Sequence, residues 1–283
     1  MRKYINNLLR LCGYEVVRAV VRTTPARVDS RTCLLDATVQ LDVAQESDFD
    51  LAATPLGAYF AANRAGDVHK WFHYFSVYHQ AFERFRQRPG LKVLEIGVSK
   101  GGSLKLWRHY FDPSAVIVGV DINPSCAQFE NAGQHIFVRI GEQQNADFLR
   151  SLITEFGPFD IIIDDGSHVS AHQIATFDVL YREGLKDAGV YLVEDTHFNY
   201  WEIARDGVAE SETFMHYAKQ LVDRLHEPYQ RFLGPQYFDV GGRLRAPSCP
   251  VTYFCANTES IVFADSIVVF SKKRRFMPAT QTR

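Results

Sequence analysis

Apolar residues recur with two different periods along this chain. From Trp71 to Phe85, aromatic residues return every three or four positions, which predicts one amphipathic helix that ends at Pro89-Gly90. After that helix, short and almost continuous apolar runs alternate with segments of helical period. Such runs are typical of strands that are buried on both faces of a parallel sheet. The pattern therefore predicts a doubly wound α/β fold.

The alternating part of the chain predicts a sheet of parallel strands with crossover helices. The strands are expected at Val93–Val98, Val116–Val120, His135–Ile140, Phe159–Ile163 and Val190–Val193, and the helices at Ser103–Tyr110, after Pro124, at Ala146–Phe156 and at Ser170–Glu183. Two further runs, Ser260–Phe263 and Ser266–Phe270, are separated only by Ala264-Asp265, which predicts an antiparallel hairpin. Parallel units followed by such a pair indicate the Rossmann-like sheet of a class I S-adenosylmethionine-dependent methyltransferase.

The remaining segments define the expected domain organisation. Residues 61–271 are predicted to form the methyltransferase domain, with an N-terminal extension at 1–60 and a flexible tail at 272–283. Between the fifth strand and the hairpin, residues 196–259 combine a predicted helix, Glu212–Leu225, with a loop rich in glycine and proline. Long loops inside a domain usually bind ligands or cover a site, so this insertion is predicted to be a substrate lid.

The N-terminal extension contains two patterned stretches. Residues 1–22 interleave leucine and valine with arginine and lysine, as in a basic amphipathic helix. A helix of this kind lies on a membrane surface or packs against the domain or a partner subunit, and both alternatives stay open. We expect a homo-oligomer, and residues 1–22 are the candidate for peripheral membrane contact. Cys33–Val43 is apolar enough to form a strand or a hairpin.

Charge and cysteine content argue against several classes of protein. The 31 basic and 33 acidic side chains give a net charge of −2, without the basic excess of a nucleic-acid-binding protein. The five cysteines show neither CxxC pairs nor zinc-ligand spacing, which favours reduced thiols in a cytoplasmic protein. No apolar run approaches the roughly 18 residues that a membrane-spanning helix needs.

Three predicted strand ends carry residues suited to a nucleoside cofactor. Gly97 and Gly101 follow the first strand and let a ligand approach the backbone near a helix N-terminus, although a structural turn explains them equally well. Asp121 ends the second strand, where an acid accepts hydrogen bonds from ribose hydroxyls; the alternative is a cap for the helix after Pro124. Glu142 follows the third strand, beside the expected adenine. Because the glycines lack dinucleotide spacing, S-adenosylmethionine is favoured over NAD.

Carboxylates and imidazoles follow the next two strands. The fourth strand ends in Asp164-Asp165 with His168 shortly after, and the fifth ends in Glu194-Asp195 followed by His197. Because adjacent acids repel at a partly buried edge, a hard divalent cation, Mg²⁺ or Mn²⁺, is predicted to neutralise them. The alternative is that some of them cap the helix at Ser170–Glu183. The ion would lower the pKa of an acceptor hydroxyl, and His168 would take its proton, with His197 as the alternative base.

These motifs together resemble a known family. Sugar O-methyltransferases of macrolide biosynthesis, of the mycinamicin and tylosin type, have segments similar to VLEIGVSKGGSLKLW (93–107), GVDINP (119–124), FDIIIDDGSH (159–168), GVYLVEDTHFNYW (189–201) and SIVFADSIVVF (260–270). The related group described as cephalosporin hydroxylase or rhamnosyl O-methyltransferase is similar too. The resemblance covers about residues 66–271.

The resemblance implies roles for individual residues. It implies metal ligands at Asp165, Glu194 and Asp195, with His168 as the general base. It implies cofactor contacts at Glu95, Gly97, Asp121 and Glu142. A further segment, which borders the active site in that family and reads DK–HxY, resembles the stretch that contains Lys70, His73, Tyr74 and Tyr78, although its acidic residue is spaced differently here.

The leading hypothesis is metal-dependent methylation of a sugar hydroxyl on a glycosylated natural product or a cell-surface glycan. Tyr191, Tyr200 and Trp201 flank the second acidic motif and either offer aromatic surfaces to the sugar ring or belong to the core. One alternative is a catechol-type O-methyltransferase of a phenolic small molecule. Another is a non-catalytic module that only binds the cofactor. A nicotinamide-dependent oxidoreductase is opposed by the glycine spacing.

Overall fold

A computed structural model describes residues 38, 40–63, 65, 67–202, 209–231 and 248–277. Within that part, one sheet contains β1 (Lys92–Ile96), β2 (Val116–Asp121), β3 (Ile136–Ile140), β4 (Phe159–Asp164), β5 (Leu185–Val193), β6 (Thr258–Ala264) and β7 (Ile267–Lys272). Their order across the sheet is β3-β2-β1-β4-β5-β7-β6. The first five strands are parallel, and β7 pairs antiparallel with β5 and β6. The predicted doubly wound sheet with a terminal antiparallel pair is therefore confirmed.

Helices cover both faces of this sheet. They are α1 (Pro55–Ala62), α2 (Tyr74–Phe82), α3 (Gly102–Tyr110), α4 (Ala146–Glu155), α5 (Ser170–Val179), α6 (Phe214–Leu225), α7 (Glu227–Arg231) and α8 (Tyr253–Asn257). Two 3₁₀ turns follow strands at the carboxyl edge of the sheet, Pro124–Phe129 after β2 and Thr196–Tyr200 after β5. No helix among the described residues is long and apolar enough to cross a membrane.

The core consists of two apolar layers, one on each face of the sheet. Successive residues of a strand point into opposite layers, since the side-chain period of a strand is two. Val93 and Ile161 lie in the layer of α1, α2 and α3, whereas Leu94 and Ile162 lie in the layer of α4, α5 and α6. Because both faces are covered, the carboxyl ends of the strands are where polar side chains can reach a ligand.

The aromatic helix is shorter than its sequence pattern predicts. Trp71 was expected at its start, but α2 begins at Tyr74. The Trp71 ring instead stacks on the His197 ring, with centroids 4.6 Å apart. Packing between distant segments therefore takes Trp71 out of the helix and brings it to the sheet edge.

The helix predicted at Ser170–Glu183 also ends early. α5 stops at Val179 and continues as a π turn, Leu180–Gly184. The buried ammonium of Lys272 donates hydrogen bonds to the carbonyl oxygens of Tyr181 (2.7 Å) and Leu185 (2.6 Å). These bonds satisfy one carbonyl near the C-terminal end of the helical segment, where helix carbonyls lack an intrahelical partner, and one at the start of β5.

The N-terminal predictions fall largely outside the described residues. The basic stretch 1–22 lies wholly outside them. Of Cys33–Val43, the described residues 40–43 are exposed and belong to no strand. The strand predicted there is therefore wrong for this end of the stretch.

The C-terminal predictions are described in part. In the insertion 196–259, α6 packs on the sheet through Phe214 and Leu221, and the lid role stays a prediction. In the predicted tail, the backbone N–H of Lys273 donates to the carbonyl oxygen of Asn257 at 2.8 Å. The first residues of that tail are thus bound to the body of the domain.

Candidate active site

Two cavities meet at the carboxyl edge of the sheet. The first has a volume of about 240 Å³ and lies beyond β1, β2 and β3, with Asp121 and Glu142 in its wall. The second has a volume of about 320 Å³ and lies beyond β1, β4 and β5, with His168 and Asp195 in its wall. Asp165 lines both cavities, as do Gly97, Ser99 and Gly166. Groups bound in the two cavities would therefore face each other across this shared wall.

Gly97 is required by the shape of the shared wall. Its φ is +96°, and a Cβ at this position would lie 2.0 Å from the backbone oxygen of Asp165. Gly101 also has a positive φ, +73°, and its Cβ would meet the Phe129 ring at 2.5 Å. Gly101 lines neither of the two cavities. The structure thus supports close backbone approach at Gly97, whereas Gly101 serves the turn before α3.

Asp121 is held by the backbone at the side of the first cavity. Its Oδ2 accepts hydrogen bonds from the N–H groups of Val98 and Ser99, each at 2.9 Å, and its Oδ1 accepts one from Asn123 at 2.8 Å. Burial raises its pKa, but these backbone hydrogen bonds outweigh burial and leave the pKa below its usual value. The alternative role of Asp121 as a helix cap is wrong, because Asn123 caps the 3₁₀ turn by accepting from Ser125.

Gln143 connects the first cavity to the end of β4. Its Nε2 donates to Asp164 Oδ1 and to Thr176 Oγ1, both at 3.2 Å, and its Oε1 accepts from the backbone N–H of Ser167 at 2.7 Å. Asp164 is wholly buried, and burial raises its pKa to about 7. The four carboxylates predicted at one rim are therefore not equivalent, since Asp164 points into the interior. Glu142, the residue before Gln143 in the chain, is exposed at the wall of the first cavity.

Asp165, His168 and Asp195 form a compact group beside the second cavity. One ligand atom from each lies within 4.8 Å of the others. His168 Nε2 is 3.9 Å from Asp165 Oδ1 and 3.6 Å from Asp195 Oδ2. His168 and Asp195 both have left-handed backbones, with φ of +56° and +53°, a strain that folded proteins keep mainly at functional sites. The helix-cap alternative for Asp165 is not supported, since α5 begins at Ser170 and its N-cap residue is Val169, without a side-chain cap.

Lys70 lies at the centre of this site, although the sequence predicted no role for it beyond its place in the DK–HxY segment. Its ammonium lies 2.5 Å from Asp165 Oδ2 and 2.6 Å from Glu194 Oε2. Burial lowers the pKa of Lys70, but the two carboxylates outweigh burial and raise the pKa, so the ammonium stays charged. Glu194, a predicted metal ligand, is thus paired with Lys70, while its Oε1 is buried without a hydrogen-bond partner among the described residues. The resemblance to the DK–HxY segment was the one signal for Lys70.

Residues of α2 and the β6–β7 turn support the acidic group from outside. The hydroxyl of Tyr74 donates to Asp195 Oδ1 at 2.5 Å. His197 Nδ1 lies 2.5 Å from Ser266 Oγ, and burial lowers the pKa of His197 below its usual value. His197 is also 4.0 Å from Asp195 Oδ1. It is therefore tied to the turn, whereas His168 Nε2 faces both acids of the group.

Glu95 does not lie where the resemblance implied. Its carboxyl is wholly buried and accepts hydrogen bonds from Ser103 Oγ at 2.7 Å and Trp107 Nε1 at 2.8 Å. It lines neither cavity. Burial raises its pKa to about 7. Its side chain holds α3 on the sheet, and a direct contact with a cofactor stays a prediction that this placement does not support.

Aromatic rings flank the acidic group on its solvent side. Trp71, His197, Phe198 and Trp201 form what we name the aromatic wall. Trp201 contacts the His197 ring at 4.7 Å and the Phe198 ring at 5.0 Å, and the Phe198 ring stacks on His168 at 4.9 Å. Trp71 and Trp201 are 39% and 47% exposed, so part of each ring is free to bind a ligand. Tyr191 is fully buried instead, so its predicted contact with an acceptor is wrong.

Comparisons with known proteins point to one family. No family model matches the chain. The 8-demethyl-8-(2-methoxy-α-L-rhamnosyl)-tetracenomycin-C 3′-O-methyltransferase of Streptomyces olivaceus is 38% identical over 187 residues, which cover 62% of this chain and 46% of that protein. The mycinamicin VI 2″-O-methyltransferase of Micromonospora griseorubida is 35% identical over 138 residues, which cover 46% of this chain and 33% of that protein. The chain therefore matches less than half the length of these relatives.

A solved structure agrees with these relatives. The MycE methyltransferase of the mycinamycin biosynthetic pathway, in complex with Mg and SAH, matches 80% of this chain and 55% of its own chain, with 26% sequence identity and a TM-score of 0.62. The same enzyme in complex with Mg, SAH and mycinamycin VI matches with a TM-score of 0.61. The predicted class I methyltransferase fold is confirmed, and so is the predicted resemblance to macrolide-type sugar O-methyltransferases. Over 62% of its length the chain is similar to a sugar O-methyltransferase of this type.

Proposed function

We propose that this chain is an S-adenosylmethionine- and divalent-metal-dependent O-methyltransferase that acts on a sugar hydroxyl of a glycosylated natural product or a cell-surface glycan. The observation that carries the proposal is the pair of cavities that share a wall at Gly97 and Asp165. One holds an anchored acid suited to a ribose, and the other holds two acids with an imidazole. A methyl donor in the first cavity would thus face an acceptor in the second.

The first cavity fits the nucleoside part of the methyl donor. Asp121 stays ionised because three backbone N–H groups hold it, and an ionised carboxylate is the preferred acceptor for ribose hydroxyls. Gly97 has no side chain to keep a ligand from the backbone. Glu142 and Gln143 line the part of the wall that β3 contributes, where an adenine is expected. Gly101 is proposed to act only through the turn that it forms.

The second cavity fits a hard divalent ion. Asp165 and Asp195 offer carboxylate oxygens, the ligands that Mg²⁺ prefers, and Glu194 has a buried oxygen without a partner among the described residues. These three residues are the proposed ligands. When bound, the ion would lower the pKa of the acceptor hydroxyl and orient it. The MycE structure contains Mg and SAH, which supports both the ion and the methyl donor.

His168 is the proposed general base. Its Nε2 faces the two acids, at 3.9 Å from Asp165 Oδ1 and 3.6 Å from Asp195 Oδ2, and its Nδ1 is buried without a hydrogen-bond partner among the described residues. The Phe198 ring stacks on the imidazole and fixes its plane. As the acceptor oxygen bonds to the methyl group, the bond from that methyl group to sulfur would break, S-adenosylhomocysteine would leave, and the hydroxyl proton would pass to Nε2. Tyr74 keeps Asp195 in place by donating to its Oδ1.

The most specific part of the proposal is that the acceptor is a sugar hydroxyl, and two observations support it. The two relatives named above are O-methyltransferases of a rhamnosyl-tetracenomycin C and of mycinamicin VI. The aromatic wall also offers the half-exposed rings of Trp71 and Trp201 next to the acidic group. Apolar faces of a sugar ring and of its aglycone bind well to such rings.

An acceptor panel tests this proposal. Purified full-length protein is incubated with S-adenosylmethionine and Mg²⁺, and methyl transfer is measured to rhamnosylated and olivosylated polyketides and to catechol. We expect transfer to the glycosides, its loss in EDTA and its return with Mg²⁺ or Mn²⁺. Transfer to catechol alone would favour a catechol-type enzyme. S-adenosylhomocysteine binding without any transfer would favour a module that only binds the cofactor.

A further inference from the structure

Lys70 is buried at the centre of the acidic group. Its side chain is 4% exposed, and lysines are rarely buried to this extent unless they are paired. Two carboxylate oxygens, from Asp165 and Glu194, lie within hydrogen-bond distance of its ammonium. The ammonium also lies 5.9 Å from the centre of the Tyr78 ring. Lys70 therefore supplies a fixed positive charge where the sequence predicts a metal ion.

The ammonium divides the carboxylate oxygens into two sets. Asp165 Oδ2 and Glu194 Oε2 bind Lys70. Asp165 Oδ1 and Asp195 Oδ2 face His168 Nε2, at 3.9 and 3.6 Å. Glu194 is absent from the group of ligand atoms that lie within 4.8 Å of one another. Glu194 thus binds Lys70 through Oε2, whereas Asp165 binds Lys70 through Oδ2 and faces His168 through Oδ1.

We propose that Lys70 is a resident counter-cation that competes with the divalent ion for Asp165 and Glu194 and so keeps the metal affinity of the free enzyme low. The inference rests on the proposed function, in which a divalent ion binds to these carboxylates. Two like charges a few ångströms apart repel strongly in a buried site. A carboxylate oxygen that already accepts a hydrogen bond from an ammonium is also a poorer ligand. Tight metal binding therefore requires that the ammonium leave Glu194.

This arrangement predicts how stability depends on metal. With Lys70 in place, buried acids are paired without any ion, so wild-type thermal stability should rise less between EDTA and a given concentration of Mn²⁺ than that of a variant without the lysine. In Lys70→Met, the acids lose their counter-charge, and a ligand that binds only the folded state raises its stability. The melting temperature of that variant should therefore be lower in EDTA and recover as Mn²⁺ is added.

Mn²⁺ titration of the protein without acceptor tests the inference. The signal of free Mn²⁺ in electron paramagnetic resonance gives the dissociation constant. We expect Lys70→Met to bind Mn²⁺ roughly tenfold or more tightly than wild type, because a nearby charge of the same sign is gone. The matched control is Lys273→Met, which removes a lysine from an exposed pair with Glu259 and should leave the constant unchanged.

A double variant keeps the inference testable if Lys70→Met alone fails to fold. Lys70→Met/Glu194→Gln removes one charge of each sign and should bind Mn²⁺ more tightly than wild type, because Asp165 is released from the ammonium, but less tightly than Lys70→Met. Unchanged or weaker Mn²⁺ binding in both variants would overturn the inference and leave the proposed function intact. If no protein in the set binds Mn²⁺ while S-adenosylhomocysteine still binds, the metal site and this inference both fail.

Discussion

The candidate site has two halves, the first cavity with Asp121 and the second cavity with Asp165 and Asp195. The two halves stabilise their carboxylates in different ways. Beyond β2, Asp121 is held by three backbone N–H groups, which the fold itself fixes in place. Beyond β4 and β5, Asp165 and Glu194 are held by the side chain of Lys70. Backbone donors cannot leave, whereas a lysine can change rotamer. Under the proposed function, the first half would bind a nucleoside in one fixed way, and the second would bind a divalent ion that changes the charge of the site.

The largest expected effect on activity comes from a substitution that changes only the second half. His168→Ala should lower the rate of methyl transfer by roughly 10²–10⁴-fold, the usual range for a positioned general base. S-adenosylhomocysteine affinity should not change, because the imidazole lines only the second cavity. Single-turnover transfer and calorimetry measure the two quantities.

His197→Ala is the control for that prediction. His197 is tied to Ser266 and should show a much smaller defect. If the two variants behave the other way round, His197 is the base. If Mn²⁺ affinity falls together with the rate in His168→Ala, the imidazole acts as a metal ligand and the assignment as a base is wrong.

The next effect comes from breaking the first half alone. Asp121→Ala should weaken S-adenosylhomocysteine binding by roughly 1.5–3 kcal/mol, the usual loss for hydrogen bonds to a charged group. Mn²⁺ affinity should stay at the wild-type value. Calorimetry measures both, with Asp147→Ala, an exposed acid on α4, as the matched control. Unchanged S-adenosylhomocysteine affinity would contradict the assignment of the first cavity to the cofactor.

A stability measurement tests the buried acid of β1, the strand whose end borders both halves. Burial raises the pKa of Glu95 to about 7 from 4.5, so the folded protein binds more protons than the unfolded chain between these values. The free energy of unfolding should therefore fall as pH rises through this window. In Glu95→Gln the fall from pH 5 to pH 8 should be smaller, by an amount on the order of 1–3 kcal/mol.

Urea denaturation at the two pH values measures that difference. Glu142→Gln, which changes an exposed acid on the cavity wall, should retain the wild-type pH dependence. A Glu95→Gln variant that loses as much stability as wild type between pH 5 and pH 8 would show that Glu95 does not hold its proton in the folded state.

The smallest expected effect concerns the solvent side of the second half. Trp201→Ala should raise the KM for a glycosylated acceptor by roughly 3- to 10-fold, the range for loss of one ring contact, with little change in kcat. Tyr253→Ala, which removes a 43% exposed ring on α8, is the matched control. Steady-state kinetics measure the KM of both variants. Equal KM values for Trp201→Ala and Tyr253→Ala would contradict a role of the aromatic wall in binding the acceptor.

The first half of the site could be predicted well from the sequence, for a local reason. Asp121 and Glu142 lie at strand ends, and apolar runs of strand length reveal where those ends are. Glu95 shows the limit of the resemblance. It lies inside β1, where it shares a face with Val93, and that face packs on α3. The period of two along the strand was enough to place its side chain in the core.

The second half depended on contacts that no local pattern encodes. Lys70 is 95 residues from Asp165 and 124 residues from Glu194 along the chain. The loop that contains Lys70 is positioned by the packing of α2 against the rest of the domain, and this packing depends on residues that are distant in sequence. A lysine before an aromatic helix looks like any solvated charge in sequence. The carboxylates could be predicted at the sheet edge, but their counter-ion could not.

The β6–β7 turn gives this site an order of assembly. Ser266 accepts a hydrogen bond from the backbone N–H of Thr196 through its carbonyl oxygen and holds His197 through its hydroxyl. During synthesis, β1 to β4, whose carboxyl ends line the first cavity, leave the ribosome before this turn exists. A nascent chain can therefore form the wall around Asp121 early, while the rim around His197 waits for β7 to insert between β5 and β6. We expect the growing protein to gain affinity for its nucleoside ligand before it gains the ability to position an acceptor.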